Sequence, residues 1–137
     1  MVVELPEGYQ PSDNEEYMND LQLEYFRRKL LAWKADLLRE ANETLDRMKE
    51  EKVRESDIAD QGSSETDSAL ELRTRDRARK LIRKIDQALE RIENGEYGYC
   101  EETEEPIGIR RLEARAIATM TVEAQERYER LKKMKGE

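Results

Sequence analysis

The chain has 137 residues, of which 42% are charged and 36% hydrophobic, with a net charge of −8, one cysteine and no histidine. That is room for one domain of ordinary size without a large aromatic core. A membrane-spanning run of about 18 apolar residues, an internal disulfide, and the usual imidazole general base or metal ligand are excluded.

Just over half of the residues are Ala, Glu, Lys, Leu or Arg, a composition that signals long or coiled helices where it carries helical periodicity. Acidic residues crowd the first twenty positions, where no basic residue stands, and the remainder is close to balanced. Such a chain is a poor direct binder of duplex DNA. No charged, apolar, small-residue leader opens it, so a cytoplasmic protein is expected.

Residues 1–11 read as a loose leader. Ser12 with Glu15, or equivalently Asp13 with Glu16, reads as a capping box that opens a helix. From 13 to 54 there is no Gly or Pro, and Phe26, Leu30, Trp33, Leu37, Ala41, Leu45 and Met48 recur in steps of three and four. That is a helix seam. A break near Met18–Leu21 is compatible with the pattern.

Apolar content then falls over 50–66, EEKVRESDIADQGSSET, with Gly62 in the middle. Ser64 followed by Asp67 is a further capping box. A second helix is expected over about 65–93, with Ala78, Leu81, Ile85, Ala88 and Ile92 on its seam and Asn94-Gly95 as its stop. Two amphipathic helices joined by a short polar turn must lie antiparallel, and neither buries its stripe alone. The expected fold is therefore mainly α: an antiparallel coiled-coil hairpin with its turn at the far tip.

Beyond it, Glu96–Cys100 and Ile107–Ile109 are β-prone pieces flanking an acidic turn, which suggests a small hairpin. A short helix over Arg110–Arg115 is expected next, and Thr121 then opens a last helix from about 122 to 135. The organisation expected is a leader with a short helix at 1–18, the coiled-coil hairpin at 19–94 with its tip at about 55–64, a small globular domain at 95–121, and a C-terminal helix at 122–137.

Four constellations could carry function. Asp57 and Asp60 at the tip are either ordinary turn residues or an acidic finger held far from the body. Arg73, Arg77, Lys80, Lys84 and Arg91 share one helix face. They are either a solvated face paired to the other helix or an anion site, since guanidinium and ammonium groups suit phosphate. Arg110, Arg111 and Arg115 follow the small domain's turn. Cys100 is followed by Thr103, Thr121 and Ala124 at the spacing of a four-ligand zinc ribbon, but Thr and Ala supply no soft ligand. Cys100 remains a candidate thiol.

The segments EEYMN (15–19), FRRKLLAW (26–33), LELRTRDRARKLI (70–82) and YGYCEETEEPIGIRRLEARA (97–116) together resemble the DksA/TraR family of bacterial transcription factors. The resemblance implies a protein that binds RNA polymerase and not DNA. Its coiled coil would enter the secondary channel, tip toward the catalytic centre. It would weaken ribosomal RNA promoter complexes and activate some biosynthetic promoters with the alarmone ppGpp, in the stringent response. It implies a polymerase-active tip at Asp57, Asp60 and Gly62, where Gly62 stands in place of the family's Ala. It implies a ppGpp site at Arg77, Lys80, Lys84 and Arg115, with Gln125 where the family has a further lysine. Cys100, Thr103, Thr121 and Ala124 then mark a degenerate zinc ribbon of the zinc-independent, single-cysteine kind. Its small domain would be held by Tyr97, Tyr99, Ile107, Ile109, Leu112 and Ile117. No structural cofactor, no enzymatic chemistry, no membrane contact and a monomer are expected. The competing reading is a coiled-coil adaptor, which explains the periodicity equally well; a more distant one is a factor stimulating transcript cleavage.

Overall fold

A computed structural model describes residues 3–57 and 62–136. Among these residues the regular structure is four helices: α1 (Asp20–Asp57), α2 (Gly62–Asn94), α3 (Ile109–Ala114) and α4 (Val122–Met134). None of them is long and apolar enough to cross a membrane. The chain divides into two compact units, Met1–Leu30 with Gln87–Glu137, and Leu31–Asp86.

In the unit Leu31–Asp86 the seam forms where the spacing places it. Leu37, Ala78 and Ile85 are buried. Lys34 Nζ meets Asp86 Oδ1 at 2.6 Å, a contact that joins the antiparallel α1 and α2. Thr44 is buried as well. It follows Leu37 at heptad spacing, so it continues the seam with a polar residue, and Arg47 donates to its hydroxyl at 3.2 Å. Trp33, Ala41, Leu45, Met48 and Leu81 are half-buried.

The other unit joins the N-terminal segment to the small module. The expected helix at 13–18 is not there: Glu15 takes the Ser12 N–H at 3.0 Å, but Ser12 Oγ accepts from Asn14 N–H at 3.1 Å and not from Glu15 N–H, so only half of the capping box forms and the segment closes a turn. Met18 then takes a left-handed φ of 53°, which breaks any helix at that point. The operative cap is Asn19, whose side chain accepts from Gln22 N–H at 2.8 Å, while Gln22 reaches back to the Met18 N–H at 2.7 Å. α1 therefore begins at Asp20, within the Met18–Leu21 interval. At the other boundary, α2 begins at Gly62, so Ser64 and Asp67 lie inside the helix and not at its start.

The expected β-hairpin contracts to a single antiparallel bridge, Tyr99 with Pro106. Cys100 N–H donates to Glu105 and Ile107 N–H to Gly98, each at 2.8 Å. Proline at 106 has no N–H to extend such a ladder. α3 starts at Ile109, one residue earlier than expected, and α4 starts at Val122 behind its cap Thr121.

Tyr97, Ile107, Ile109, Leu112 and Ile117 are buried as expected, and Tyr99 is half-buried. Their partner from α1 is Phe26, fully buried with its ring centroid 5.8 Å from that of Tyr97. Tyr97 Oη donates to the Ala116 carbonyl at 2.7 Å, which satisfies its one polar atom. Tyr17 pins the N-terminal segment down: its hydroxyl donates to the Gly98 carbonyl at 2.7 Å and accepts from Gly108 N–H at 2.9 Å. Gly98 is required here. Its φ is +93°, and a Cβ would stand 2.8 Å from the Met18 Cγ and Sδ atoms.

Candidate functional site

The basic stripe on α2 is the site best built by the fold. Arg73, Arg77, Lys80 and Lys84 follow at i, i+4, i+7 and i+11, so a single helix face presents them all. All four are exposed. Among the described residues none of them takes part in an ion pair or a side-chain hydrogen bond. A solvated face paired to the other helix would show such partners; α1 supplies one only to Asp86, through Lys34. Like charges at i, i+3 and i+4 on a helix repel by a few tenths of a kcal/mol per pair. Asp76, three residues after Arg73 and four before Lys80, is the acidic neighbour that offsets part of this cost along the helix.

Arg91 does not belong with these four. It lies in the other unit, where it pairs with Glu101 at 3.2 Å and donates to the carbonyls of Tyr99 at 2.8 Å and Glu96 at 3.3 Å. Its charge is spent on holding the 96–101 turn. Its position on the sequence stripe gave no sign of this, because its partners are carbonyls of a turn.

Arg115 is exposed and forms the C-cap of α3, with extended backbone at φ −147°. Arg110 is exposed too, whereas Arg111 turns its Nε to the Met120 carbonyl at 2.9 Å. Gln125 is half-buried and donates to Glu129 at 3.1 Å. At the tip, Asp57 is the last residue of α1 and Gly62 the first of α2; Asp60 lies outside the described residues.

Two of the other three ribbon positions, Thr103 and Thr121, hydrogen-bond to the sulfur of Cys100. Cys100 is 2% exposed. Burial pushes its thiol up, but hydrogen bonds from the Thr103 hydroxyl and from the N–H groups of Thr121, Thr103 and Glu102 outweigh that and bring it down from 9.0 to about 7. Thr121 Oγ1 accepts from Ala124 N–H at 3.1 Å and so caps α4. Ala124 itself is buried and offers only a methyl group. A structural zinc ion needs four soft or imidazole donors. Here one thiol faces hydrogen-bond donors, the hydroxyl of Thr121 is committed to a helix cap, and the fourth position has no donor. These residues do not fit zinc. Among the described residues no other group of three metal-ligating side chains occurs.

Residues 22–92 match the family described as DnaK suppressor protein DksA, N-terminal domain, and residues 95–130 match the prokaryotic dksA/traR C4-type zinc finger. The chain is 66% identical over 122 residues to the RNA polymerase-binding transcription factor DksA of Caulobacter vibrioides, covering 89% of this chain and 86% of that protein. It is 44% identical over 131 residues to the protein of the same name in Escherichia coli K12, covering 95% and 87%. The solved structure of transcription factor DksA2 from Pseudomonas aeruginosa superposes with a TM-score of 0.81 at 40% identity, covering 90% of this chain and 94% of that one. The second family carries four cysteines in its description; this chain retains one of the four ligand positions.

Proposed function

The chain belongs to the DksA/TraR family, and from that premise we propose that it is a regulatory protein that binds RNA polymerase directly and changes the stability of promoter complexes. The observation that carries the reading is the set of exposed cations on α2 that have no partner among the described residues. Arg77, Lys80 and Lys84, with Arg115 as the fourth family position, are the groups we assign to ppGpp at the polymerase interface. Gln125 contributes no charge, and its amide is engaged with Glu129.

The coiled coil enters the secondary channel in this reading, and the segment holding Asp57, Asp60 and Gly62 reaches toward the catalytic centre. Ribosomal RNA promoters are repressed and some biosynthetic promoters activated. The protein works in the cytoplasm as a monomer, without direct DNA contact, without a structural zinc ion and without chemistry of its own.

In vitro transcription with purified polymerase tests this. Inhibition at a ribosomal RNA promoter should deepen with ppGpp. The deepening should vanish in Lys84→Ala, and all inhibition should vanish in Asp57→Asn/Asp60→Asn. Inhibition that ignores ppGpp would overturn the alarmone assignment alone. Absence of polymerase binding would overturn the whole reading and leave a coiled-coil adaptor.

A further inference from the structure

The seam of the unit Leu31–Asp86 loses apolar character in steps. On α1, Leu37, Thr44 and Glu51 follow at seven-residue spacing; on α2, Ile85, Ala78 and Glu71 do the same in the opposite direction. Leu37, Thr44, Ala78 and Ile85 are each at most 8% exposed, which identifies both rows as seam positions. The two buried rows match when Leu37 is set level with Ile85 and Thr44 level with Ala78, a register two residues from that of the Lys34–Asp86 ion pair, whose long lysine side chain spans the offset. One heptad further the matched rows set Glu51 level with Glu71.

Both glutamates carry the mark of a seam position. Each has an Oε2 shielded from solvent with no hydrogen-bond partner among the described residues. Arg47, one helical turn before Glu51, gives its guanidinium to Thr44 and not to the carboxylate. Two carboxylates thus occupy a layer that a stable coiled coil fills with Leu or Ile. Shielding an oxygen without a partner is unfavourable, and so is setting like charges across a helix interface.

We propose that the Glu51/Glu71 layer is a break built into the seam, which lets the pairing of 48–52 with 69–74 open while the Leu37/Ile85 layer stays closed. The break is a property of the hairpin and does not depend on the polymerase reading. Local opening of this kind is a free-energy difference along one structure, and amide hydrogen exchange measures it directly.

The experiment is hydrogen exchange on the full chain, read at 48–52 and 69–74 against 81–85. In the native protein the first two segments should exchange at least about tenfold faster than the third. Glu51→Leu/Glu71→Leu should slow them by about that factor and leave 81–85 unchanged. A charge cycle provides the second arm: Glu51→Lys and Glu71→Lys should each slow exchange by pairing with the remaining carboxylate. The double variant Glu51→Lys/Glu71→Lys should return toward the native rate, because like charges face each other again. Uniform protection along the native hairpin would overturn the proposal. So would a double lysine variant that equals the sum of its singles. The cycle remains decisive if the leucine variant fails to fold.

Discussion

Thr121 stands where a zinc ribbon would place its third ligand, and replacing it with alanine isolates what this chain uses instead. The hydroxyl accepts the Ala124 N–H at 3.1 Å, with Thr121 6% and Ala124 2% exposed. Losing a threonine N-cap costs about 1–2 kcal/mol. Here the N–H left behind is out of water, which places the cost at the upper end, about 2 kcal/mol. An unfolding entropy of about 2.1 cal/mol/K per residue converts that to a fall in Tm of about 7 °C if the chain unfolds as one. The assay is a thermal melt followed by helical circular dichroism, with Thr121→Ser beside Thr121→Ala. Serine keeps the acceptor oxygen and should stay within about 0.5 kcal/mol of the native protein. A strong chelator added to the native protein should leave Tm where it is. The reasoning is refuted if Thr121→Ala melts with the native protein, if Thr121→Ser is as damaged as Thr121→Ala, or if chelation lowers Tm.

Two further outcomes follow from the same unit. Tyr17→Phe removes the hydroxyl that donates to Gly98 and accepts from Gly108; a loss of about 1–3 kcal/mol in urea denaturation is expected, with faster exchange of the Gly108 amide, and an unchanged amide would show that the contact holds nothing. Cys100 sets a pH dependence: its folded value of about 7 lies below the ordinary 9.0, so its stabilisation is fully present above pH 9 and is lost as pH falls through about 7. Stability should therefore rise between these limits in the native protein and stay flat in Cys100→Ser, with thiolate ultraviolet absorbance tracking the same midpoint; an equal rise in both proteins would assign the effect elsewhere.

The hairpin was legible because its signal is periodic. Leu37, Ala78 and Ile85 are buried where three-and-four spacing puts them. Thr44 and Glu51 were missed because the eye follows apolar letters, whereas the seven-residue spacing from Leu37 points to both. The N-terminal boundary misled for a different reason. Glu15 reaches back to the Ser12 N–H as a capping box requires, but the Ser12 hydroxyl takes the Asn14 N–H in a local turn, the competing conformation that Ser favours outside helices. Asn19 and Gln22 carry the same spacing and mark the true start. The anchoring role of Tyr17 was not legible at all. Its partners are backbone atoms of residues 98 and 108, and only the folded chain brings them within reach. At the candidate site, the sequence placed Arg77, Lys80 and Lys84 on one face but could not distinguish Arg91. That arginine differs in having the Glu101 carboxylate and two backbone carbonyls to hold.

This difference bears on how the proposed regulation would work. A bound regulator moves an equilibrium between polymerase states only by its difference in affinity for them. About 1.4 kcal/mol of difference is a tenfold change. One charge-assisted hydrogen bond to an anion contributes about 1.5–3 kcal/mol, so a single stripe residue engaged in one state and idle in the other suffices. That leverage requires cations the protein does not already use. Arg91, Lys29 and Lys34 are committed to Glu101, Glu113 and Asp86; drawing any of them away would break a contact of its own unit and cancel part of the gain. Arg77, Lys80 and Lys84 have no such partner among the described residues, so in the proposed role they would give up only water. An acidic residue paired to each would steady the helix by about 0.2–0.5 kcal/mol and would remove that leverage from the proposed site.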